Sequence, residues 1–155
     1  MLQKNKTQKG FTIIEVLIVL AIAGLILLIV FLAVPALQRN SRNTQRKNDV
    51  ANYMSAVNEW TNNNGGKVPS AAADLTTADS GVNALAKLGF YSAPTGAVVT
   101  GAQTTAVDVN TIVLVTGAKC STTNTGQTIA GATRSVAIRY AVESSSGAAV
   151  PQCQD

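Results

Sequence analysis

The chain has 155 residues, of which 46% are hydrophobic and 13% are charged, and its formal net charge is +4. This length allows one modest domain with an appendage and excludes a multidomain protein. Histidine is absent, which excludes His-based general acid–base catalysis, the Ser-His-Asp and Cys-His nucleophile systems, and zinc sites that need His. The composition therefore favours a small protein that is not an enzyme and needs no metal or other cofactor.

The positive charge is concentrated near the N-terminus. Residues 1–50 carry seven Lys and Arg side chains, whereas residues 51–155 carry five basic and six acidic ones. Loss of residues 1–10 would remove Lys4, Lys6 and Lys9 and lower the side-chain charge from +4 to +1. The basic isoelectric point therefore does not indicate a nucleic-acid-binding domain.

Residues 16–34, VLIVLAIAGLILLIVFLAV, contain no charged or strongly polar side chain. This run is long enough to cross a bilayer as a helix. Its Leu, Ile, Val and Phe residues favour insertion by roughly 5 to 9 kcal/mol. A buried core helix is the alternative, but the rest of the chain is too poor in large hydrophobic residues to enclose it. We therefore predict a membrane-spanning helix.

The orientation of this span is left open by the basic residues on its two sides, which are nearly equal in number. They are Lys4, Lys6 and Lys9 before it and Arg39, Arg42, Arg46 and Lys47 after it. An ordinary cleaved secretory signal fits poorly, because the apolar run is too long and is not followed by an A-x-A-like site.

Glu15 comes just before this run, four residues into the apolar segment that begins at Phe11, and lies between Ile14 and Val16. An ionisable residue at such a position is costly and is a functional candidate by default. The alternative is that the carboxylate lies near the interface and reaches water. If the bond after Gly10 were cut, the new amine of Phe11 would lie four residues from Glu15, and in a parallel array it could neutralise the carboxylate of a neighbouring copy.

Residues 9–24, K-G-F-T-I-I-E-V-L-I-V-L-A-I-A-G, resemble the N-terminus of type IV pilins and related pseudopilins. In that family a membrane prepilin peptidase cuts after the Gly and methylates the amine of the next residue, which maps onto Gly10 and Phe11. The family's Glu, which helps a new subunit to dock on its neighbour's N-terminus, maps onto Glu15. The resemblance also implies that the leader is cytoplasmic and the C-terminus is outside.

Gly24 and Pro35 resemble the family's pair of helix-weakening residues, although Pro35 comes a few residues later than in many relatives. The physical basis is general, since Pro removes one helical hydrogen bond and Gly lowers helix propensity. The resemblance implies that the helix can lose regular structure between them in a filament.

Residues 38–49, QRNSRNTQRKND, are polar on all sides. Three interpretations remain open for their basic residues: a solvated face, contact with anionic lipid headgroups, and contact with acids on adjacent subunits. Apolar residues then return at helical spacing, which predicts packing against the head, and the run 62–66 predicts the end of the helix. The residues of this stripe are Val50, Tyr53, Met54, Val57 and Trp60.

The remainder is predicted to form a small α+β head, in which an antiparallel sheet packs on the second half of the long helix. Asp79 or Ser80 is expected to cap a short helix that Gly89 closes. Strands are expected near 97–100, at 111–117 and at 135–143, where apolar residues alternate.

Cys120 and Cys153 enclose the last of these predicted strands. In an extracellular head they are expected to form a disulfide, as in many pilins. Two reduced structural thiols are the alternative.

The predicted organisation is a leader at 1–10, a transmembrane and polymerisation segment at 11–37, an amphipathic extracytoplasmic helix at 38–63 and a head at 64–155. The resemblance implies a single-pass precursor in the cytoplasmic membrane, which becomes the structural subunit of a surface filament. The implied partners are copies of the chain itself, the prepilin peptidase, and a cytoplasmic assembly ATPase with its membrane platform.

The mature length favours a major pilin. A pseudopilin of a secretion or DNA-uptake system, which would meet nucleic acid only indirectly, is the alternative. A membrane-anchored binding module is a third hypothesis.

Overall fold

The computed structural model describes residues 10–91 and 98–155, and its α+β architecture confirms the predicted fold class. Helix α1 (Ile13–Asn63) has 51 residues. It is followed by two short helices and six strands in the described residues. The chain divides into two compact units after Gln38. Residues 1–9 of the predicted leader lie outside the described residues.

Helix α1 continues through Gly24 and Pro35 without interruption. It ends where the sequence predicts, because the chain turns through Gly65 and Gly66, with φ of 66° and 80°. The N–H of Gly66 donates to the carbonyl oxygen of Thr61 at 2.8 Å. Such a bond satisfies a carbonyl that the helix end would otherwise leave unpaired.

The second half of α1 packs against the head through the predicted stripe. Val50, Tyr53 and Val57 are fully buried, Trp60 is 8% exposed, and Met54 is partly buried against the same core. The prediction of this packing face is confirmed. The stripe is also longer than predicted, because Arg46 and Asp49 one turn earlier are buried as well.

Two short helices follow, α2 (Ala72–Thr76) and α3 (Val82–Leu85). The expected caps of α3 were wrong. Its N-cap is Gly81, and it ends at Leu85 with Ala86 as its C-cap, well before Gly89. Helix α2 was not predicted. Asp74 stabilises its first turn by accepting hydrogen bonds from the N–H groups of Ser70 and Ala71 at 2.7 and 2.9 Å.

Four strands form one sheet in the order β1-β2-β5-β6. They are β1 (Val99–Thr100), β2 (Val113–Thr116), β5 (Val136–Glu143) and β6 (Ala149–Gln154). The β2–β5 and β5–β6 pairs are antiparallel, but β1 pairs with β2 in parallel. The predicted strand at 97–100 starts on residue 97, which lies outside the described residues.

A separate hairpin of β3 (Ala118–Cys120) and β4 (Thr128–Ala130) was not predicted, and neither was β6. Cys120 and Cys153 enclose β5, the last of the predicted strands, but Cys153 itself lies within the further strand β6. The sequence analysis missed β6 because its sequence, AVPQCQ, lacks the alternation of a half-buried strand.

The four-stranded sheet is covered on both faces around β5. Ile138 and Tyr140 belong to the core that includes the α1 stripe. Arg139 alternates with them and is 3% exposed, and its Nε donates to the carbonyl oxygen of Gly126 in the β3–β4 turn at 2.7 Å. A Cβ atom on Gly126 would overlap Pro151 of β6, so this turn packs directly on the sheet.

Candidate functional site

The predicted cleavage point lies in a short segment without regular secondary structure before α1. Gly10, Phe11 and Thr12 are outside the helix, and Phe11 is 89% exposed. A Cβ atom on Gly10 would meet nothing within 4 Å. The Gly10–Phe11 bond is therefore not covered by any other described part of the chain.

Glu15 forms a reciprocal capping box with Thr12 at the start of α1. Its Oε2 accepts hydrogen bonds from the backbone N–H of Thr12 at 2.8 Å and from the Thr12 hydroxyl at 2.7 Å. The N–H of Glu15 lies 3.4 Å from the same hydroxyl oxygen. The carboxylate of Glu15 thus satisfies the backbone N–H of Thr12, and the Thr12 hydroxyl lies near the N–H of Glu15, so the two residues cap the helix start within their own chain.

An exposed apolar surface surrounds this carboxylate. Phe11, Val16, Val19 and Leu20 line one shallow depression with Glu15. The large apolar residues of α1 remain exposed as far as Leu37. Among the described residues, α1 is the one helix that is long and apolar enough to cross a membrane.

Gly24 and Pro35 both lie inside this exposed part of α1. A Cβ atom on Gly24 would meet no other described residue within 4 Å, so close packing against the described part of the chain does not explain the glycine. Pro35 cannot donate to a carbonyl of the preceding turn. Loss of regular helix between the two residues remains a prediction.

Asn43 joins α1 to the end of β5. Its Nδ2 donates to the carbonyl oxygen of Glu143 at 2.9 Å, and its Oδ1 accepts from the N–H of Glu143 at 2.8 Å. The side-chain amide therefore replaces a strand partner at this residue. Both backbone groups of Glu143 are satisfied by a helix residue.

The Glu143 carboxylate binds two arginines of α1. Arg42 donates from Nη2 to Oε2 at 2.6 Å and from Nε to Oε1 at 3.1 Å.

Arg46 is the second arginine on this carboxylate. It donates from Nη2 to Oε1 of Glu143 at 2.8 Å, and its Nε donates to the carbonyl oxygen of Val109 at 2.9 Å. The Arg46 guanidinium also lies 4.2 Å from the ring centroid of Phe90, a cation–π geometry. We call Arg42, Asn43, Arg46, Asp49 and Glu143 the polar cluster.

Asp49 fixes the segment after α3 to α1. Its carboxylate accepts hydrogen bonds from the N–H groups of three consecutive residues, Gly89, Phe90 and Tyr91, at 2.9, 2.6 and 2.9 Å. The Tyr91 hydroxyl donates a hydrogen bond to the carbonyl oxygen of Ala141 in β5 at 2.9 Å. This part of the polar cluster holds a loop that lacks regular secondary structure.

The ionisation of several head residues follows from these contacts. Hydrogen bonds from Arg42 and then from Arg46 lower the pKa of Glu143 from 4.5 to about 2. The hydrogen bond to Glu143 raises the pKa of Arg42. Burial raises the pKa of Tyr91 to about 12. Glu143 and Arg42 therefore keep their charges throughout the neutral range.

Cys120 and Cys153 form a disulfide between β3 and β6, with Cα atoms 5.6 Å apart. The N–H of Cys120 also donates to the side-chain carboxylate of Asp155 at 3.0 Å. The predicted pair is thus bonded, and the link ties the β3–β4 hairpin to the sheet. In residues 10–91 and 98–155, no group of three or more Cys, Asp or Glu side chains could hold a metal ion.

Thr12 and the polar cluster were missed from the sequence. The spacing T-I-I-E at residues 12–15 is that of a capping box and could have indicated Thr12. Asn43, Arg46 and Asp49 follow each other at intervals of three and continue the stripe that begins at Val50. This spacing places them on the buried face, but their polarity suggests solvent.

Comparison with known proteins gives one match. Residues 5–31 match the family model described as the prokaryotic N-terminal methylation motif. Searches of curated proteins and of solved structures found no match. This motif is typical of structural proteins that a prepilin peptidase processes before pilin assembly. Residues 5–31 of the chain therefore carry the N-terminal methylation motif that is found in the class III signal peptide of type IV pilins.

Proposed function

We propose that the chain is the precursor of a structural subunit of an extracellular type IV pilus filament. The observation that carries this proposal is the methylation motif at residues 5–31, followed by a helix whose large apolar residues stay exposed as far as Leu37. A surface of this kind needs a partner, which is lipid before assembly and other copies of the chain afterwards.

In this proposal the leader lies in the cytoplasm and α1 spans the cytoplasmic membrane. The prepilin peptidase cuts after Gly10 and methylates the new amine of Phe11. An exposed bond outside regular secondary structure supports this site, because a peptidase must bind the chain in an extended form. An assembly ATPase and its membrane platform then move the subunit into the filament, with the head facing outward.

Glu15 has the docking role in the proposal. In the isolated chain its carboxylate is held by Thr12. During assembly it exchanges these hydrogen bonds for the positive amine of Phe11 on a neighbouring copy. An ion pair between these groups costs less in the membrane than either charge alone. Gly24 and Pro35 let α1 adjust its packing in the filament.

The experiment compares surface filaments in cells that produce the wild type, Glu15→Ala and Glu59→Ala, by electron microscopy. Glu59 is an exposed acid on the same helix, so its substitution controls for loss of one negative charge. We expect normal membrane insertion in all three strains and impaired filaments only in Glu15→Ala. Normal filaments in Glu15→Ala would refute the docking role.

Mass spectrometry of the mature protein tests the processing step. We expect a chain that begins at Phe11 and carries one methyl group on its amine. A chain that still begins at Met1 in cells with an active peptidase would refute the prepilin assignment. Correct processing with no surface filament, combined with a defect in secretion or DNA uptake, would favour a pseudopilin instead.

A further inference from the structure

Arg39 lies immediately after the exposed apolar part of α1. It comes two residues after Leu37, so the helical rise places its Cα about 3 Å further along the axis. The headgroup layer on each side of a bilayer is roughly 5 to 7 Å thick. If the apolar part of α1 spans the membrane, the guanidinium of Arg39 is at the depth of the lipid phosphates.

Among residues 10–91 and 98–155, no acidic side chain forms an ion pair with Arg39. In the described residues the ion pairs are those of Arg42 and Arg46, and both use Glu143. The hydrogen bond of Arg39 runs from Nη1 to a neutral acceptor, the carbonyl oxygen of Ser145. This bond orients the guanidinium and leaves Nε and Nη2 to bind an anion.

The turn that orients Arg39 is itself rich in hydroxyl groups. Ser144, Ser145 and Ser146 connect β5 to β6, and the last two are exposed. The turn is held in shape by hydrogen bonds from the N–H of Ala148 to the Ser144 hydroxyl at 3.0 Å and from Ser144 N–H to the Ala148 carbonyl at 2.8 Å. Exposed hydroxyls beside a guanidinium are suited to phosphate oxygens.

We infer that Arg39 and the Ser144–Ala148 turn form a binding site for the phosphate group of an anionic phospholipid. The site would hold the head at the membrane surface before assembly. Lys47, which is also exposed, lies about 12 Å further along α1. At this distance it attracts the anionic lipid by long-range electrostatics and does not contact the bound phosphate. The inference depends on the membrane-spanning part of the proposed function, but it does not depend on filament assembly.

The test measures which lipids remain bound to the full chain. Wild type and Arg39→Gln are purified in micelles of a neutral detergent that contain phosphatidylcholine and phosphatidylglycerol, and the bound lipids are quantified by mass spectrometry. We expect phosphatidylglycerol to be enriched on the wild type and the enrichment to fall about fivefold in Arg39→Gln, the usual effect of one basic residue at an anionic surface. Both chains have the same leader, so the contribution of its lysines cancels.

Lys67→Gln is the matched control, because it removes one exposed positive charge beyond the end of α1. It should keep the wild-type enrichment, and Arg39→Lys should keep most of it. Glu15→Ala should also keep it, which separates this site from the docking role. Equal enrichment on the wild type and Arg39→Gln would overturn the inference. Equal enrichment combined with weakened filaments in Arg39→Gln would also overturn it. That result would indicate that Arg39 forms an ion pair with an acidic residue of a neighbouring copy.

Discussion

Asn43 and Glu143 are 100 residues apart in the sequence, yet the side-chain amide of Asn43 forms both backbone hydrogen bonds of Glu143. Arg42 and Arg46 bind the carboxylate of the same residue. One residue at the end of β5 is thus held through its main chain and its side chain by one turn of α1. This arrangement sets the position of the last two strands on the helix.

Asn43→Ala should lower the free energy of unfolding of the head by about 1 to 3 kcal/mol, because it leaves two backbone groups of Glu143 without partners. Urea unfolding of the full chain in detergent micelles, followed by the fluorescence of Trp60, measures this change. Trp60 is the one tryptophan and is 8% exposed. Asn48→Ala, an exposed substitution on the same helix, is the control, and an equal effect of the two substitutions would contradict the role of Asn43.

Glu143 should make the stability of the head depend on pH in acid. Its pKa is lowered to about 2 in the folded chain from 4.5. The folded state therefore favours the ionised carboxylate, and this contribution is complete above pH 4.5 and is lost as the pH falls toward 2. Glu143→Gln should be less stable than the wild type at pH 7, and the difference should shrink between pH 4.5 and 2.

Urea unfolding at a series of pH values measures this difference. Glu59→Gln removes an exposed acid on α1 and should follow the wild type across the same range. A constant difference between the wild type and Glu143→Gln from pH 7 to pH 2.5 would show that the carboxylate is not stabilised by its arginines.

The parts of the fold that could be predicted are those in which one short segment carries a complete pattern. The stripe from Val50 to Trp60 repeats at helical spacing, and β5 alternates in a strand pattern, so both were predicted. By contrast, β6 contains Pro151 and two glutamines. It forms because the backbone groups along one side of β5 need hydrogen-bond partners, which β6 supplies. Pro151 is tolerated because β6 is an edge strand with one unpaired side.

The polar cluster could not be predicted, because its partners are distant in the sequence. Arg46 donates to Val109 and Glu143, which are 63 and 97 residues away. A guanidinium buried to 1% exposure is stable only when such partners are present. The motif at residues 5–31, by contrast, is local and could be recognised directly.

Removal of the disulfide should destabilise the head substantially. The bond joins residues that are 33 positions apart, and the chain-entropy model gives roughly 3 to 4 kcal/mol for a loop of this size. We expect the Cys120→Ser/Cys153→Ser double variant to lose about this much in urea unfolding. The wild type in the presence of a reductant should behave similarly. Free thiols in non-reduced mature protein, detected by mass spectrometry, would contradict the bond itself.

Thr12 should control how firmly Glu15 is held before assembly. Thr12→Val keeps the shape of the side chain but removes the hydroxyl, which donates to Glu15 at 2.7 Å and lies near its N–H. Loss of an N-cap oxygen costs about 1 kcal/mol, so hydrogen exchange at the first turn of α1 should become roughly fivefold faster in micelles. Thr12→Ser keeps the hydroxyl and should exchange like the wild type.

Thr44→Val is the matched control for Thr12→Val. The Thr44 hydroxyl donates to the carbonyl oxygen of Asn40 in the same helix at 2.9 Å, and it does not cap α1. Its removal should leave exchange at residues 13–15 unchanged. Unchanged exchange in Thr12→Val as well would show that the hydroxyl does not hold the helix start. Faster exchange in Thr12→Val alone would establish that Glu15 has a partner in its own chain, which the proposed docking role would require it to release.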